Sequence, residues 1–217
     1  MTNHPSEYYD PTIIVWDIET VRTQNDEIYE RAKSELKKKF EAKYERQSTV
    51  AKYFNRELDK LALNPFYNQI ISIAYMGLND SEPSLIFNPD DEKSVVEEFI
   101  SVLNNWYNEM MEISHCGYNL TGFDLPVLRL KAAKYRLNYG SNIFPRSKFE
   151  VKDLYWELGG IGSLSEVINA LDLPHKYNDF DGSNVAELFK DKKFNDIKNY
   201  ALQDVVVEAE LAKLLYN

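Results

Sequence analysis

The stretch T-I-I-V-W-D-I-E-T, residues 12–20, decides how the rest of the chain is read. Its first six residues, Thr12 to Asp17, are β-branched and nearly all apolar, the pattern of a strand buried on both faces. Asp17 and Glu19 follow two apart, and on a strand such residues share a face. Paired carboxylates repel, and each raises the other's pKa unless something positive lies between them. A buried strand carrying that pair asks for a cation, and oxygen-only ligands suit a hard divalent ion such as Mg²⁺ or Mn²⁺. On D-x-E alone, the alternative that both acids lie past the strand's end in water stays open.

Outward from this strand, residues 22–64 change texture. They hold 11 Lys+Arg against 8 Asp+Glu, with Ile28, Ala32, Leu36, Phe40 and Tyr44 at helical spacing. Two helices are predicted, about 26–47 and 49–62, closed by Pro65. The segment is net +3, leaving −13 for the remainder. It reads either as a solvated amphipathic pair or as a basic lid over a polyanion. Further strands are expected at 69–76, 85–87 and 113–118, and helices at 90–111, 125–137 and 194–215. Ser163 and Glu166 form a capping box that opens another helix. Strands alternating with helices predict an α/β domain with part of its sheet parallel.

The composition bounds the function. At 217 residues the chain suits one domain with an insertion, and 44% apolar content suffices for a core. A net charge of −10 argues against nucleic-acid affinity from bulk positive charge, though not against a substrate held locally through metal ions. The single Cys116 excludes internal disulfides and thiol–metal sites. No apolar run approaches 18 residues and the first ten lack a signal-peptide pattern, so the expectation is a cytoplasmic protein away from membranes.

Two more constellations carry chemistry. G-Y-N-L-T-G-F-D-L-P, 117–126, lies between a strand and a helix, where α/β proteins place ligand-binding residues. Its Asp124 is either functional or the N-cap of the next helix. Tyr200 and Asp204 stand four apart on the last helix, sharing one face beside a buried side of Ile197, Ala201 and Val205. A phenol there can position a water and, if its pKa is lowered, assist proton removal.

In this order, D-x-E, N-x-x-x-F-D and Y-x-x-x-D resemble the tyrosine-bearing branch of the DEDD 3′–5′ exonucleases. The carriers are Asp17, Glu19, Asp124 and Asp204, with Tyr200 as branch marker; the histidine branch would carry His where Asn199 stands. G-Y-N-L-T-G-F-D-L-P, S-L-S-E-V-I-N-A-L-D-L, D-G-S at 181–183 and Y-A-L-Q-D-V look like stand-alone relatives of the proofreading domain of family-B DNA polymerases. The resemblance covers 12–21 and about 65–215, and the helical pair departs from it.

It implies a single domain over 1–217 with a ribonuclease H-like mixed five-stranded sheet flanked by helices, and a helical insertion at about 22–64. It implies removal of 5′-mononucleotides from the 3′ ends of DNA, preferentially single-stranded, with two divalent cations, Mg²⁺ or Mn²⁺. Asp17 would bridge both, Glu19 and Asp204 complete the first shell, and Asp124 hold the second ion. Tyr200 would orient the attacking water. Thr20, Asn119 and Phe123 are the substrate-binding candidates, Phe123 by stacking or alternatively as ordinary core. His115 and His175 read as structural; Lys152, Lys176 and Asp181 are assigned no role. An RNA exonuclease of the same branch, and a silent nucleic-acid-binding or scaffold domain, are the competing readings. A replication or repair partner is compatible with all of them.

Overall fold

A computed structural model describes residues 12–43, 47–140, 142–173 and 182–216. The strands are β1 (Ile13–Arg22), β2 (Asn68–Gly77), β3 (Ser84–Phe87), β4 (Ser114–Gly117) and β5 (Val151–Asp153), in the spatial order β3-β2-β1-β4-β5. β1 pairs antiparallel with β2 and parallel with β4; β4 and β5 are also parallel. This is the mixed five-stranded sheet that was expected. The fifth strand, three residues long, was not read from the sequence because V-K-D is too short to show any period.

Between β1 and β2 stand the two predicted helices, α1 (Asp26–Lys43) and α2 (Gln47–Asp59), the latter followed by a 3-10 turn, Lys60–Leu63, where the helix was expected to run on to 62. The remaining helices are α3 (Glu92–Met110), α4 (Asp124–Lys134), α5 (Leu154–Glu157), α6 (Leu164–Ala170), α7 (Val185–Lys190) and α8 (Phe194–Tyr216). The Ser163–Glu166 capping box is formed at α6.

Helices cover both faces of β1, which explains its unbroken apolar run. Ile14, Trp16 and Ile18 face α3 and α4 with Phe99, Leu103 and Leu128. Ile13 and Val15 face α8 with Ala201, Val205 and Ala209. Trp16 is fully buried and donates Nε1–H to Nδ1 of His115 at 3.1 Å; His115 Nε2 lies 2.8 Å from the Ile143 carbonyl. Burial brings the imidazole down to about 4, so His115 is a neutral strut between β1, β4 and the 143 loop.

At the other end of β2, buried Glu92 takes Lys131, Lys134, Tyr135 and the Ile70 amide, tying α3 to α4 and the sheet. Such a charge is tolerable inside because every lone pair has a partner. Among the described residues, no helix is long and apolar enough to cross a membrane.

Candidate active site

β1 continues five residues past Asp17, so the acid pair lies inside the strand and not beyond its end. Alternation then puts Asp17 and Glu19 on the α8 side, below Val15 and above Val21. The pairing with β2 slips at this point: Glu19 opposes Ser72 and Thr20 opposes Ile70, leaving Ile71 as the extra residue. A bulge locally increases the twist of a strand pair, and this one sits where the carboxylates must turn toward α8.

α8 supplies Tyr200 and Asp204. Ile197, Ala201 and Val205 are fully buried, as the spacing predicted, which fixes the helix roll and aims the adjoining stripe at β1. Oxygens of Asp17, Glu19 and Asp204 all lie within 4.8 Å of one another.

Asp124 arrives by a different route. β4 ends at Gly117, where any Cβ would stand 2.8 Å from the Trp16 carbonyl, so only glycine lets the strand end pass so close to β1. The chain then turns through Asn119, whose φ of 56° lies in the left-handed region that Asn tolerates. Asp124 is the first residue of α4, not its cap; the cap position is Phe123 and carries no side-chain bond. The Asp124 carboxylate, 3% exposed, instead accepts the Ile18 amide at 3.3 Å, across from the acid pair.

Two further buried acids join this group and were missed in the sequence. Glu208, one turn beyond Asp204, accepts the Tyr118 amide on Oε1 at 3.2 Å while its buried Oε2 has no partner among the described residues. The i, i+4 continuation Tyr200–Asp204–Glu208 was the available signal. Asp153, the last residue of β5, accepts the Thr121 amide at 2.8 Å and hydroxyl at 2.5 Å. It braces the turn that carries Asp124, and no sequence pattern marks it.

The electrostatics follow from burial without a countercharge. Asp17 is raised well above the usual carboxylate range, first by burial and then by Asp124, Glu19, Glu208 and Asp204. Glu19 and Glu208 are raised by burial and by Asp204 and Asp124. Burial lifts Asp124 to about 8 and Asp204 to about 6. An all-oxygen, mutually repelling donor set of this kind fits a hard divalent cation.

Tyr200 hydrogen-bonds to Asp204, and burial followed by Asp204 and Glu19 pushes its phenol upward. Without a cation in the site the phenol, next to three acids, stays protonated near neutral pH, which does not favour the proton-removal role. In the nuclease reaction proposed below, Tyr200→Phe is expected to be about 10- to 100-fold slower than wild type. Mn²⁺ affinity by calorimetry and the pH profile should be unchanged, and a lost alkaline limb would instead make the phenol the base.

The remaining candidates are placed as follows. The Thr20 hydroxyl, expected near a terminal nucleotide, is taken by the Ala62 carbonyl at 2.7 Å. The Asn119 carboxamide lies against Gly122, and its backbone carbonyl accepts the amides of Gly122 and Phe123. Phe123 is half-buried against the core cluster of Trp16 and Phe99. Lys152 packs over the Tyr216 ring at 4.4 Å. His175, Lys176 and Asp181 lie outside the described residues.

No protein-family profile matches the sequence, and no curated protein does. Among solved structures the chain is similar to a family B DNA polymerase from the hyperthermophilic archaeon Pyrobaculum calidifontis, with a TM-score of 0.63 and 18% identity. The match covers 94% of this chain and 24% of the polymerase, so the chain spans about a quarter of that protein's length. At this identity the likeness is one of fold. The α/β architecture, with its mixed five-stranded sheet flanked by helices, matches a ribonuclease H-like fold.

Proposed function

We propose that the chain is a 3′–5′ exonuclease that hydrolyses phosphodiesters at the 3′ ends of single-stranded DNA. The observation that carries this reading is the convergence of Asp17, Glu19 and Asp204 within 4.8 Å, beside Asp124, on a polymerase-like fold. Asp17, Glu19 and Asp204 would hold one divalent cation, and Asp17 with Asp124 a second. Such ions supply a nucleophilic hydroxide near neutral pH and offset charge on the attacking and leaving oxygens.

The protein's own groups do the rest. Asp124, pinned through its bond to the Ile18 amide, keeps a carboxylate on the far side of Asp17. Tyr200 gives its one hydroxyl hydrogen to Asp204, and its oxygen would accept from, and so orient, an incoming water. Glu208 keeps one buried acceptor oxygen free behind the cluster. Asp153 holds the 118–123 turn in place, and with it Asp124.

The test is a time course on a 5′-labelled single-stranded DNA oligonucleotide with Mg²⁺, Mn²⁺ or EDTA, beside an RNA copy. A ladder shortening from the 3′ end, absent in EDTA, supports the reading, and the faster strand gives the sugar preference. Binding without cleavage, indifferent to chelator, would instead favour a silent nucleic-acid-binding domain.

A further inference from the structure

Large apolar side chains held out in water invite a ligand with flat, apolar faces. Phe66 is 71% exposed and Leu63 63%, Leu63 ending the 3-10 turn and Phe66 in the short segment from there into β2. Their exposure is not that of a frayed loop. Leu61 is buried beneath them, and the Ala62 carbonyl is gripped by Thr20, the residue after Glu19. The Tyr67 carbonyl accepts the Thr23 amide at 2.8 Å, and Tyr67 Oη donates to Glu35 of α1 at 2.6 Å. Asn64 accepts the Phe66 amide on its side chain at 3.0 Å and the Tyr67 and Asn68 amides on its carbonyl. The 61–68 segment is thus bonded to β1 and the residue after it through its backbone, and to α1 through the Tyr67 side chain, while Leu63 and Phe66 themselves stay in solvent.

Resting on the exonuclease reading, we propose that Leu63 and Phe66 form an apolar ledge on which unpaired bases of a single-stranded nucleic acid stack, a few nucleotides back from the scissile end. Stacking on an aromatic or apolar platform suits any base, because each has a π-face and no base edge is read. Charge favours this occupant over a protein or a second copy of the chain. The insertion that carries the ledge is net +3 on a chain whose remainder is −13, so it is the part of the surface a polyphosphate can approach. Lys38 and Lys39 on α1 are exposed and make no ion pair among the described residues. The helical insertion thereby gains a purpose: it builds a platform beside β1 and supplies positive charge to a protein otherwise repellent to its substrate.

The experiment compares wild type with Phe66→Ser, Phe66→Trp and Leu63→Ser on two substrates. Binding of a labelled 12-nucleotide deoxyoligonucleotide is followed by fluorescence anisotropy in Ca²⁺. Hydrolysis of the p-nitrophenyl ester of thymidine 5′-monophosphate, which has no upstream bases, is followed in Mn²⁺. Each serine variant should bind the oligonucleotide about tenfold more weakly, consistent with the loss of one stacked base. Ester hydrolysis should stay within about twofold of wild type, since neither residue belongs to the acid cluster. Phe66→Trp should retain tight binding. Abasic sites near the 3′ end should weaken wild type but leave Phe66→Ser indifferent.

Ester hydrolysis with undiminished oligonucleotide binding by both serine variants overturns the ledge and leaves the exonuclease reading standing. A wild type that forms dimers by light scattering, lost in Phe66→Ser with unchanged oligonucleotide affinity, overturns it in favour of a second copy. A wild type that neither hydrolyses the ester nor shortens DNA overturns the exonuclease reading, and the ledge with it.

Discussion

Asp17→Asn is expected to lower 3′-end cleavage by about 10³-fold or more and, in the same protein, to raise the melting temperature measured in EDTA at pH 8. The first effect follows from position. Asp17 feels four of the other acids: it shares an oxygen cluster with Glu19 and Asp204, Glu208 also acts on it, and Asp124 is the neighbour that disturbs it most. If Asp17 serves both cations of the proposed mechanism, a neutral amide in its place loses several kcal/mol of charge stabilisation, and each ~1.4 kcal/mol is tenfold in rate.

The second effect follows from the same placement without metal. Burial raises the Asp17 pKa, and four surrounding acids add to it. Asn keeps the shape and removes the repulsion, so the metal-free fold gains what the catalyst loses, a trade common to active sites. Oligonucleotide assays and differential scanning fluorimetry read the two effects independently. Retained cleavage within tenfold would sink the exonuclease reading. A fall in melting temperature in EDTA would make the carboxylate a structural acceptor.

What the sequence disclosed and what it concealed divide along a physical line. β1 was legible because burial on both faces demands an unbroken apolar run, and the Ile197–Ala201–Val205 stripe because a helix against a sheet needs one. The acids at 17, 19, 124 and 204 were legible only together, because D-x-E, N-x-x-x-F-D and Y-x-x-x-D follow in the order of a known nuclease family; singly, each reads equally well as a solvated acid or a helix cap. Glu208 went unread although it continues the Tyr200–Asp204 stripe, because acids on a helix are normally exposed, and its burial and its bond to the Tyr118 amide are tertiary. Asp153 and the β2 bulge at Ile71 depend on contacts 32 residues or more away, beyond any local pattern. Thr20 shows the same limit: its place beside Glu19 suggested a nucleotide contact, but the turn at Ala62 takes its hydroxyl.

The metal-free protein is expected to become less stable as pH rises from about 4.5 to 8.5, and divalent cations to reverse the loss. Asp124 and Asp204 release their protons at about 8 and about 6 in the folded state, well above the ordinary carboxylate range they regain on unfolding. Asp17, Glu19 and Glu208 are displaced in the same direction. Across that interval the folded chain binds more protons than the unfolded one, so the unfolding free energy declines with pH. A loss of only ~2 kcal/mol would lower the Tm of a chain this size by about 4–8 °C.

His115, neutral in the fold down to about 4, charges in the unfolded chain below about 6.5 and opposes this decline, but with one proton against those of five acids. The slope reverses only below about pH 4, where the unfolded carboxylates are protonated too and Glu92 loses its bonds. Stability in EDTA should therefore be greatest near pH 4 and fall from there upward. Saturating Mn²⁺ or Mg²⁺ binds only the deprotonated cluster, so the rise in Tm it causes should grow steadily with pH. Thermal melts from pH 5 to 8.5, with and without each ion, check both slopes. A flat or rising Tm in EDTA above pH 6 would mean the five acids already have their countercharge or their water, and the case for a cation between them would go with it.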